Sequence, residues 1–183
     1  DEYFPYCVEM ARAFIQPKYQ SSQMGRKALF ALDNLWDGVG GIIATDPTVK
    51  YLSGKVTIYS SSPDLSRKAM IYYPDMSFGD RKGLITSKRP ETCTPEEAEF
   101  FKEMFVGEDY KENYQILNNF VKSFGDTIPP LIHSYIGLSS TMKTFGTTFD
   151  PDFGDCYDTA MMITIADLYP EKRSRYIDSY EKA

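Results

Sequence analysis

Apolar residues recur along the chain at two spacings, which predict alternating strands and helices. From Met24 to Ile43 they fall three, four or one residues apart, and this makes a single apolar stripe on an amphipathic helix. Tyr51 to Tyr59 is rich in β-branched and aromatic residues and predicts a strand. The segment from Tyr3 to Ile15 has a similar composition and predicts a strand that ends before Pro17, because proline cannot continue a ladder.

Helix-start signals dominate the middle of the chain. Ser62 before Pro63 predicts a helix with Ser62 as its N-cap, and Thr94-Pro95-Glu96-Glu97 predicts another with a capping box. The remaining predicted elements are a helix over 95–106, helices over 110–123 and 129–138 and from Pro170, strands over 142–149 and 159–166, and a loop over 76–90. This order is that of an α/β fold, or of an α+β fold with an antiparallel end.

Length and composition predict a folded protein with one domain over 1–183. The chain has 183 residues, of which 42% are hydrophobic and 25% charged, so wholesale disorder is excluded. No apolar run approaches the roughly 20 residues of a membrane-spanning helix. The chain begins at Asp1 without a methionine, and we expect it to begin inside a larger protein.

Net charge and cysteine content limit the classes of partner, the compartment and the metal sites that we expect. The net charge of −6 argues against nucleic acid, which needs a basic face for its phosphates. Cys7, Cys93 and Cys156 are odd in number and lack metal-site spacing, so we expect reduced thiols in a cytoplasmic protein, and no metal.

The loop that opens into the Met24 helix is a candidate phosphate site. The first amides of a helix have no partner within the helix, and the helix dipole is positive there, so both favour an anion. Seven residues lie at this junction and are candidates to bind a phosphate: Gln20, Ser21, Ser22, Gln23, Met24, Gly25 and Arg26.

The strand and loop before that helix carry a family motif. Glu9-x-x-Arg12-x-x-Ile15-x-Pro17-x-Tyr19 resembles the central motif of the GNAT superfamily, in its hemolysin-like branch of ornithine-lipid, glycine-lipid and other N-acyl amino acid synthases. Three later segments resemble further motifs of that branch, in family order: Tyr51–Ile58, Ile128–Tyr135 and Phe149–Phe153.

The resemblance implies a GNAT-like acyl-CoA N-acyltransferase fold with a mixed, twisted sheet, here without its usual first strands and helices. It implies transfer of a long-chain acyl group from acyl-carrier protein or acyl-CoA to the amine of a small amino acid, as in membrane aminolipid synthesis. Gln23 stands where the family's phosphate loop usually has its first glycine. Since a carrier protein presents a single phosphodiester on its phosphopantetheine thioester, this departure favours acyl-carrier protein as donor.

Two other functions stay open. The chain could be a non-catalytic relative that binds acyl-carrier protein or lipid, or an ordinary acetyl-CoA-dependent GNAT acetyltransferase. Assays with acyl-carrier protein and with candidate amino acids separate these possibilities.

Three residues are candidates for catalysis. Glu9 is the candidate base, with an ion pair to Arg12 or a plain edge-strand charge as the alternative. Arg12 is a candidate anion binder, since residues three apart on a strand point to opposite faces and a direct pair with Glu9 is disfavoured. The resemblance implies an acidic residue shortly after the family's last turn; Asp158 is our candidate for it, with Asp155 as the alternative. His133 is more simply a surface or hydrogen-bonded histidine, and Cys7 lacks a visible activating partner.

Two loops carry unusual charge. The acidic loop from Asp150 to Asp158 is predicted to be a turn; calcium binding is disfavoured, and contact with the acceptor's ammonium is the alternative. The loop that holds Arg81, Lys82, Lys88 and Arg89 is basic in an acidic chain. It could dock an acidic carrier protein or the inner face of a membrane with anionic lipid, or be an ordinary solvated loop.

Overall fold

The computed structural model describes residues 2–12, 14–19 and 26–181. Its strands are β1 (Cys7–Met10), β2 (Tyr51–Tyr59), β3 (Pro90–Glu91), β4 (Lys143–Asp150) and β5 (Cys156–Thr164). Its helices are α1 (Arg26–Thr45), α2 (Asp64–Phe78), α3 (Pro95–Met104), α4 (Tyr110–Ser123), α5 (Pro130–Ile136), α6 (Pro170–Tyr176) and α7 (Asp178–Glu181). Short 3-10 turns cover Phe4–Tyr6, Pro17–Tyr19 and Ile165–Asp167.

The described strands form one sheet in the order β1-β2-β5-β4-β3. β4 and β5 are antiparallel, with Asp150 opposite Cys156 at one end and Lys143 opposite Met162 at the other. The register shifts between Thr144 and Thr147, where Gly146 takes a positive φ of 80° that suits a bulge. The mixed α/β fold predicted from the sequence is confirmed.

The chain forms two compact units whose division runs through β2 and β5. Unit 1 contains Asp1–Ser53, Leu138–Ser140 and Ile163–Ala183, and unit 2 contains Gly54–Gly137 and Thr141–Met162. The single domain over 1–183 stays a prediction.

Unit 2 is built around an aromatic core. Helix α2 packs against α3, α4 and β4, and it buries Tyr73 completely. The rings of Phe105 and Tyr114 lie against Tyr73, at centroid distances of 5.7 and 6.0 Å. The Tyr73 hydroxyl is satisfied because it donates to the carbonyl of Tyr110 at 2.7 Å.

Unit 1 packs α1 against α6 and α7. Asp33 of α1 accepts a hydrogen bond from the Tyr176 hydroxyl and pairs with Arg175, so the contact between α1 and α6 has a polar edge. A Cβ on Gly40 would lie 1.8 Å from the backbone oxygen of Tyr176, which shows how closely the two backbones approach. None of the described helices has the length and apolarity that crossing a bilayer requires.

Several element bounds were predicted correctly and others were wrong. The strand predicted over Tyr3 to Ile15 is only Cys7–Met10, because a 3-10 turn covers Phe4–Tyr6 before it and Arg12 leaves the extended conformation at φ 57° after it. The strand predicted from Thr159 begins earlier, at Cys156, where pairing with β4 starts.

The two helix starts had opposite outcomes. Ser62 is not the cap of α2: Pro63 occupies that position, and the Ser62 carbonyl instead accepts from the Arg67 guanidinium. The Thr94 capping box is confirmed, since Thr94 and Glu97 exchange hydrogen bonds of 2.8 and 3.2 Å.

We expect the two glycines of α1 to respond oppositely to alanine. Gly38→Ala should raise the free energy of unfolding by roughly 0.5–1 kcal/mol, because nothing lies within 4 Å of its added methyl and alanine is the better helix former. Gly40→Ala should lower it by about 1–3 kcal/mol, because the methyl would overlap the Tyr176 backbone. Urea unfolding of both variants measures this, and equal shifts would show that α1 and α6 do not pack in this way.

Alkaline pH should destabilise unit 2 through Tyr135. Burial raises the pKa of Tyr135 to about 12. The pKa of Tyr135 in the folded state is above its value in the unfolded state. The neutral side chain therefore contributes its full stabilisation below pH 10. The free energy of unfolding then falls as the pH rises, by about 2 kcal/mol at pH 12. Urea unfolding from pH 9 to 12 should show that the free energy of unfolding falls less steeply with pH in Tyr135→Phe than in the wild type. Tyr59→Phe, at an exposed position, is the control and should keep the wild-type slope.

Candidate functional site

Glu9 and Arg12, the first two candidates, are both exposed. Glu9 lies on β1, whereas Arg12 follows the strand in the left-handed region at φ 57°, which residues other than glycine seldom adopt. The argument that strand alternation separates the two side chains therefore does not apply, since β1 ends at Met10. Neither forms a salt bridge with a described residue. Their catalytic roles stay predictions.

The predicted phosphate loop lies mostly outside the described residues. Gln20, Ser21, Ser22, Gln23, Met24 and Gly25 are not among them, and only the backbone of Arg26 is described, at the start of α1. The phosphate-binding role of these seven residues stays a prediction.

An open cavity of about 350 Å³ lies between the segment after β1 and helix α1, within unit 1. Phe14, Ile15, Gln16 and Tyr19 line it from the loop after β1, and Ala31, Asn34 and Leu35 line it from α1. The lining is largely apolar with two amides, and the volume is at the lower end of the range for small-molecule sites. Tyr19 belongs to the motif that carried the family resemblance.

Asp158, the third candidate, is held in a polar cluster on β2 and β5, within unit 2. Asp158 as a whole residue is only 5% exposed. Oδ1 accepts from the Thr57 hydroxyl at 2.6 Å, and Oδ2 forms an ion pair with the ammonium of Lys55. Both carboxylate oxygens are therefore occupied. We call Lys55, Thr57 and Asp158 the β2–β5 cluster.

Strand geometry explains why these three side chains meet. Lys55 and Thr57 are two residues apart on β2, so they share one face of the strand, and β5 is the neighbouring strand in the sheet. Asp158 lies inside β5, in register with Thr148 of β4. The predicted strand start at Thr159 had left Asp158 in the turn, where it could not have been assigned to this face.

Lys55 is the chemically accessible member of the cluster. Its side chain is 53% exposed, so its ammonium reaches solvent while Asp158 holds it from below. The hydrogen bond with Asp158 raises the pKa of Lys55, and partial burial opposes this only in part. The group is thus a cation at neutral pH with N–H donors to spare.

The β4–β5 turn contributes an aromatic ring beside that cation. The Phe153 centroid lies 5.2 Å from Lys55 Nζ, within the range of a cation–π contact. The turn takes its shape from two positive-φ residues, Gly154 at 74° and Asp155 at 50°. The turn predicted for the acidic loop is confirmed over 151–155, whereas Cys156 to Asp158 belong to β5. Among the described residues, no group of His, Cys, Asp and Glu side chains is arranged as metal ligands would be.

The other titratable candidates offer little nucleophilic chemistry. His133 is exposed on α5, with its ring 5.6 Å from that of Tyr114, in keeping with a surface histidine. Burial raises the pKa of Cys93 to about 11 and also raises that of Cys156, so both thiols are protonated at neutral pH. Cys7 is half-buried, and the described residues show no base beside its thiol.

The accessible chemistry of the β2–β5 cluster is therefore recognition of an anion. A fixed ammonium beside an aromatic ring can bind a carboxylate, a phosphate or the oxygen of a polarised carbonyl. Lys55 and Thr57 lie within the motif segment Tyr51–Ile58, to which no role was assigned from the sequence. The alternation of polar residues at Ser53, Lys55 and Thr57 along β2 was the available signal.

Comparison with known proteins gives two relatives. The chain is 41% identical over 181 residues to a protein of Phocaeicola vulgatus, covering 99% of this chain and 55% of that protein. It is 39% identical over 179 residues to a protein of Bacteroides thetaiotaomicron, covering 98% and 53%. Both are named glycine N(alpha)-acyltransferase.

No family model matches the chain, and no solved structure matches it. The chain spans about half the length of the curated relatives it matches, while nearly all of its own residues take part in the match.

Proposed function

We propose that the chain is part of an N-acyltransferase that transfers an acyl group to the amine of a small amino acid. The observation that carries this is the identity of about 40% to two glycine N(alpha)-acyltransferases over almost the whole chain. Glycine is accordingly the first acceptor to test. The family resemblance adds membership of the GNAT superfamily and of its branch that makes aminolipids.

The proposed reaction is direct attack. The neutral amine of the acceptor adds to the thioester carbonyl carbon, a C–N bond forms, and the C–S bond breaks. The amine loses one proton overall and the departing thiolate gains one. Glu9 is the proposed acceptor of the amine proton, and this role rests on the family motif in which it lies.

The proposed donor is a long-chain acyl group on the phosphopantetheine of acyl-carrier protein, with acyl-CoA as the alternative. The apolar lining of the cavity next to α1 supports a role in binding a pantetheine arm or acyl chain. Gln23 in place of a glycine supports the carrier protein over CoA, because a side chain there hinders a full pyrophosphate cradle.

The proposed role of the β2–β5 cluster is recognition of the acceptor's carboxylate. Lys55 supplies the cation, and Asp158 is a positioning residue, since its two oxygens are already bound to Lys55 and Thr57. An amino acid acceptor carries a carboxylate that must be held while its amine reacts, and an exposed, anchored ammonium meets that need.

The first experiment measures thiol release by the protein expressed at its natural full length. Glycine and other small amino acids are supplied one at a time, with long-chain acyl-carrier protein or acyl-CoA at matched concentrations. We expect turnover with glycine and a preference for the carrier protein. Preference for CoA would overturn the donor assignment alone. Transfer only from acetyl-CoA would favour an ordinary acetyltransferase, and carrier binding without turnover would favour a non-catalytic relative.

We expect Lys55→Gln to raise the KM for the amino acid about tenfold and to change kcat by less than about threefold, because it removes a carboxylate contact made before and during reaction. Lys122→Gln, at an exposed lysine of α4, is the matched control and should leave both constants unchanged. An unaltered KM in Lys55→Gln would remove the cluster from acceptor binding.

The positioning role of Asp158 has its own signature. Asp158→Asn should raise the same KM, because it releases Lys55. The double variant Lys55→Gln/Asp158→Asn should be no worse than Lys55→Gln alone, since both changes act through one ammonium. Additive losses, or a loss in kcat confined to Asp158→Asn, would instead indicate that Asp158 touches the reacting atoms.

A further inference from the structure

The segment from Asp80 to Arg89, here called the basic loop, concentrates positive charge in an acidic protein. It holds four of the chain's 20 lysine and arginine residues, whereas the chain as a whole carries a net charge of −6. From Arg81 to Arg89 no residue carries a carboxylate. From the sequence, three roles of this segment are open: docking of an acidic carrier protein, docking of an anionic membrane, or an ordinary solvated loop. The structure of the segment distinguishes among them.

The first half of the loop is a built turn. The buried carboxylate of Asp80 accepts from the backbone N–H groups of Leu84 at 2.8 Å and Lys82 at 3.2 Å. Gly83 takes a φ of +66°, which lets the chain reverse between them. The carboxylate of Asp80, the single acidic residue of the loop, is thus bound to the backbone of the turn. These contacts also fix the direction in which the tip of the loop projects.

The second half is tied to the sheet. The carbonyl of Arg89 accepts from the backbone N–H of Phe149 at 3.3 Å and from the Thr148 hydroxyl at 3.0 Å. Pro90 and Glu91 then pair with β4. The loop is therefore anchored at both ends within unit 2, unlike an ordinary solvated loop.

Two apolar side chains stand exposed at the tip. Leu84 is 42% exposed and Ile85 is 56% exposed, although both directly follow the anchored turn. The tip thus exposes a pair of branched aliphatic side chains with cations on each side of it in the sequence.

The flanking cations are available to a partner. Lys82, Lys88 and Arg89 are exposed, and none forms a salt bridge with a described residue. Arg81 contacts Asp75, yet its side chain is 70% exposed. Lys143 of β4 lies 3.9 Å from Asp80 and adds positive charge at the base of the loop.

We propose that the basic loop docks this protein onto a bilayer surface containing anionic lipid. Leu84 and Ile85 enter the boundary between headgroups and acyl chains, and the cations remain at the level of the lipid phosphates. An acidic protein would pair with the cations of the loop, but it would also need an apolar pocket for the two exposed aliphatic side chains. A bilayer with anionic lipid supplies both phosphates for the cations and an apolar interior for the aliphatic side chains. The proposal rests on the loop alone and is independent of the proposed function.

Co-sedimentation with vesicles tests this proposal directly. The probes are phosphatidylcholine vesicles with and without about one-third phosphatidylglycerol, at low salt. We expect binding to the anionic vesicles only. Lys82→Gln/Lys88→Gln should weaken the partition coefficient by about fivefold for each cation removed. Leu84→Ser/Ile85→Ser should weaken it about tenfold and leave the remaining binding more sensitive to salt.

Matched controls use the same substitutions outside the loop. Lys102→Gln/Lys122→Gln removes two exposed lysines of α3 and α4, and Val106→Ser removes another exposed aliphatic side chain. Each control should bind as the wild type does. Circular dichroism of every variant confirms that it is folded, as expected for changes at exposed positions.

Two outcomes would overturn the proposal. The first is absence of binding to anionic vesicles. The second is vesicle binding that the loop variants leave unchanged. If the same loop variants also weaken capture of acyl-carrier protein, the second outcome assigns the loop to the carrier. Turnover in solution is measured separately, so failure of membrane docking and failure of the acyltransferase function are distinguishable.

Discussion

A buried carboxylate at the centre of the sheet sets a constraint on the strands around it. Asp158 lies on β5, the strand between β2 and β4, and charge in such a place must be matched by donors. Lys55 and Thr57 supply those donors from β2. A slip of either strand by one residue would turn these side chains to the opposite face and leave the charge unmatched. The ion pair therefore helps to fix the register of β2 against β5.

The same constraint produces the accessible cation. Because Asp158 is enclosed and Lys55 is not, the pair directs a fixed positive charge outward from the sheet. Phe153 borders that charge from the β4–β5 turn, whose shape depends on Gly154 and Asp155. The same ion pair thus neutralises the buried Asp158 carboxylate and holds the Lys55 ammonium at the surface. This is why the cluster supports a role in binding.

The sequence predicted correctly those elements that depend on interactions between residues close together in the chain. The apolar stripe of α1 and the Thr94 capping box both depend on residues within a few positions of each other, and both were predicted. The start of β5 was misplaced because it depends on pairing with β4. The first strand was overextended because the 3-10 turn over Phe4–Tyr6 has a strand-like composition and because no local signal marks the positive φ of Arg12.

The candidate site was only partly predictable for the same reason. Asp158 was named from the family resemblance, but its partner Lys55 lies 103 residues away in the sequence. No periodicity connects such positions; only the strand order does. The phosphate loop and the Glu9 base were predicted from a motif, and they stay predictions.

The protonation and burial of two cysteines, Cys93 and Cys156, have a consequence for a protein proposed to handle thioesters. Any accessible thiolate beside an acyl thioester can exchange with it and capture the acyl group. Partial burial raises the pKa of Cys93 to about 11, so its thiol is protonated at neutral pH, and Cys156 is enclosed in β5. These two thiols are therefore poor competitors for an acyl group carried as a thioester.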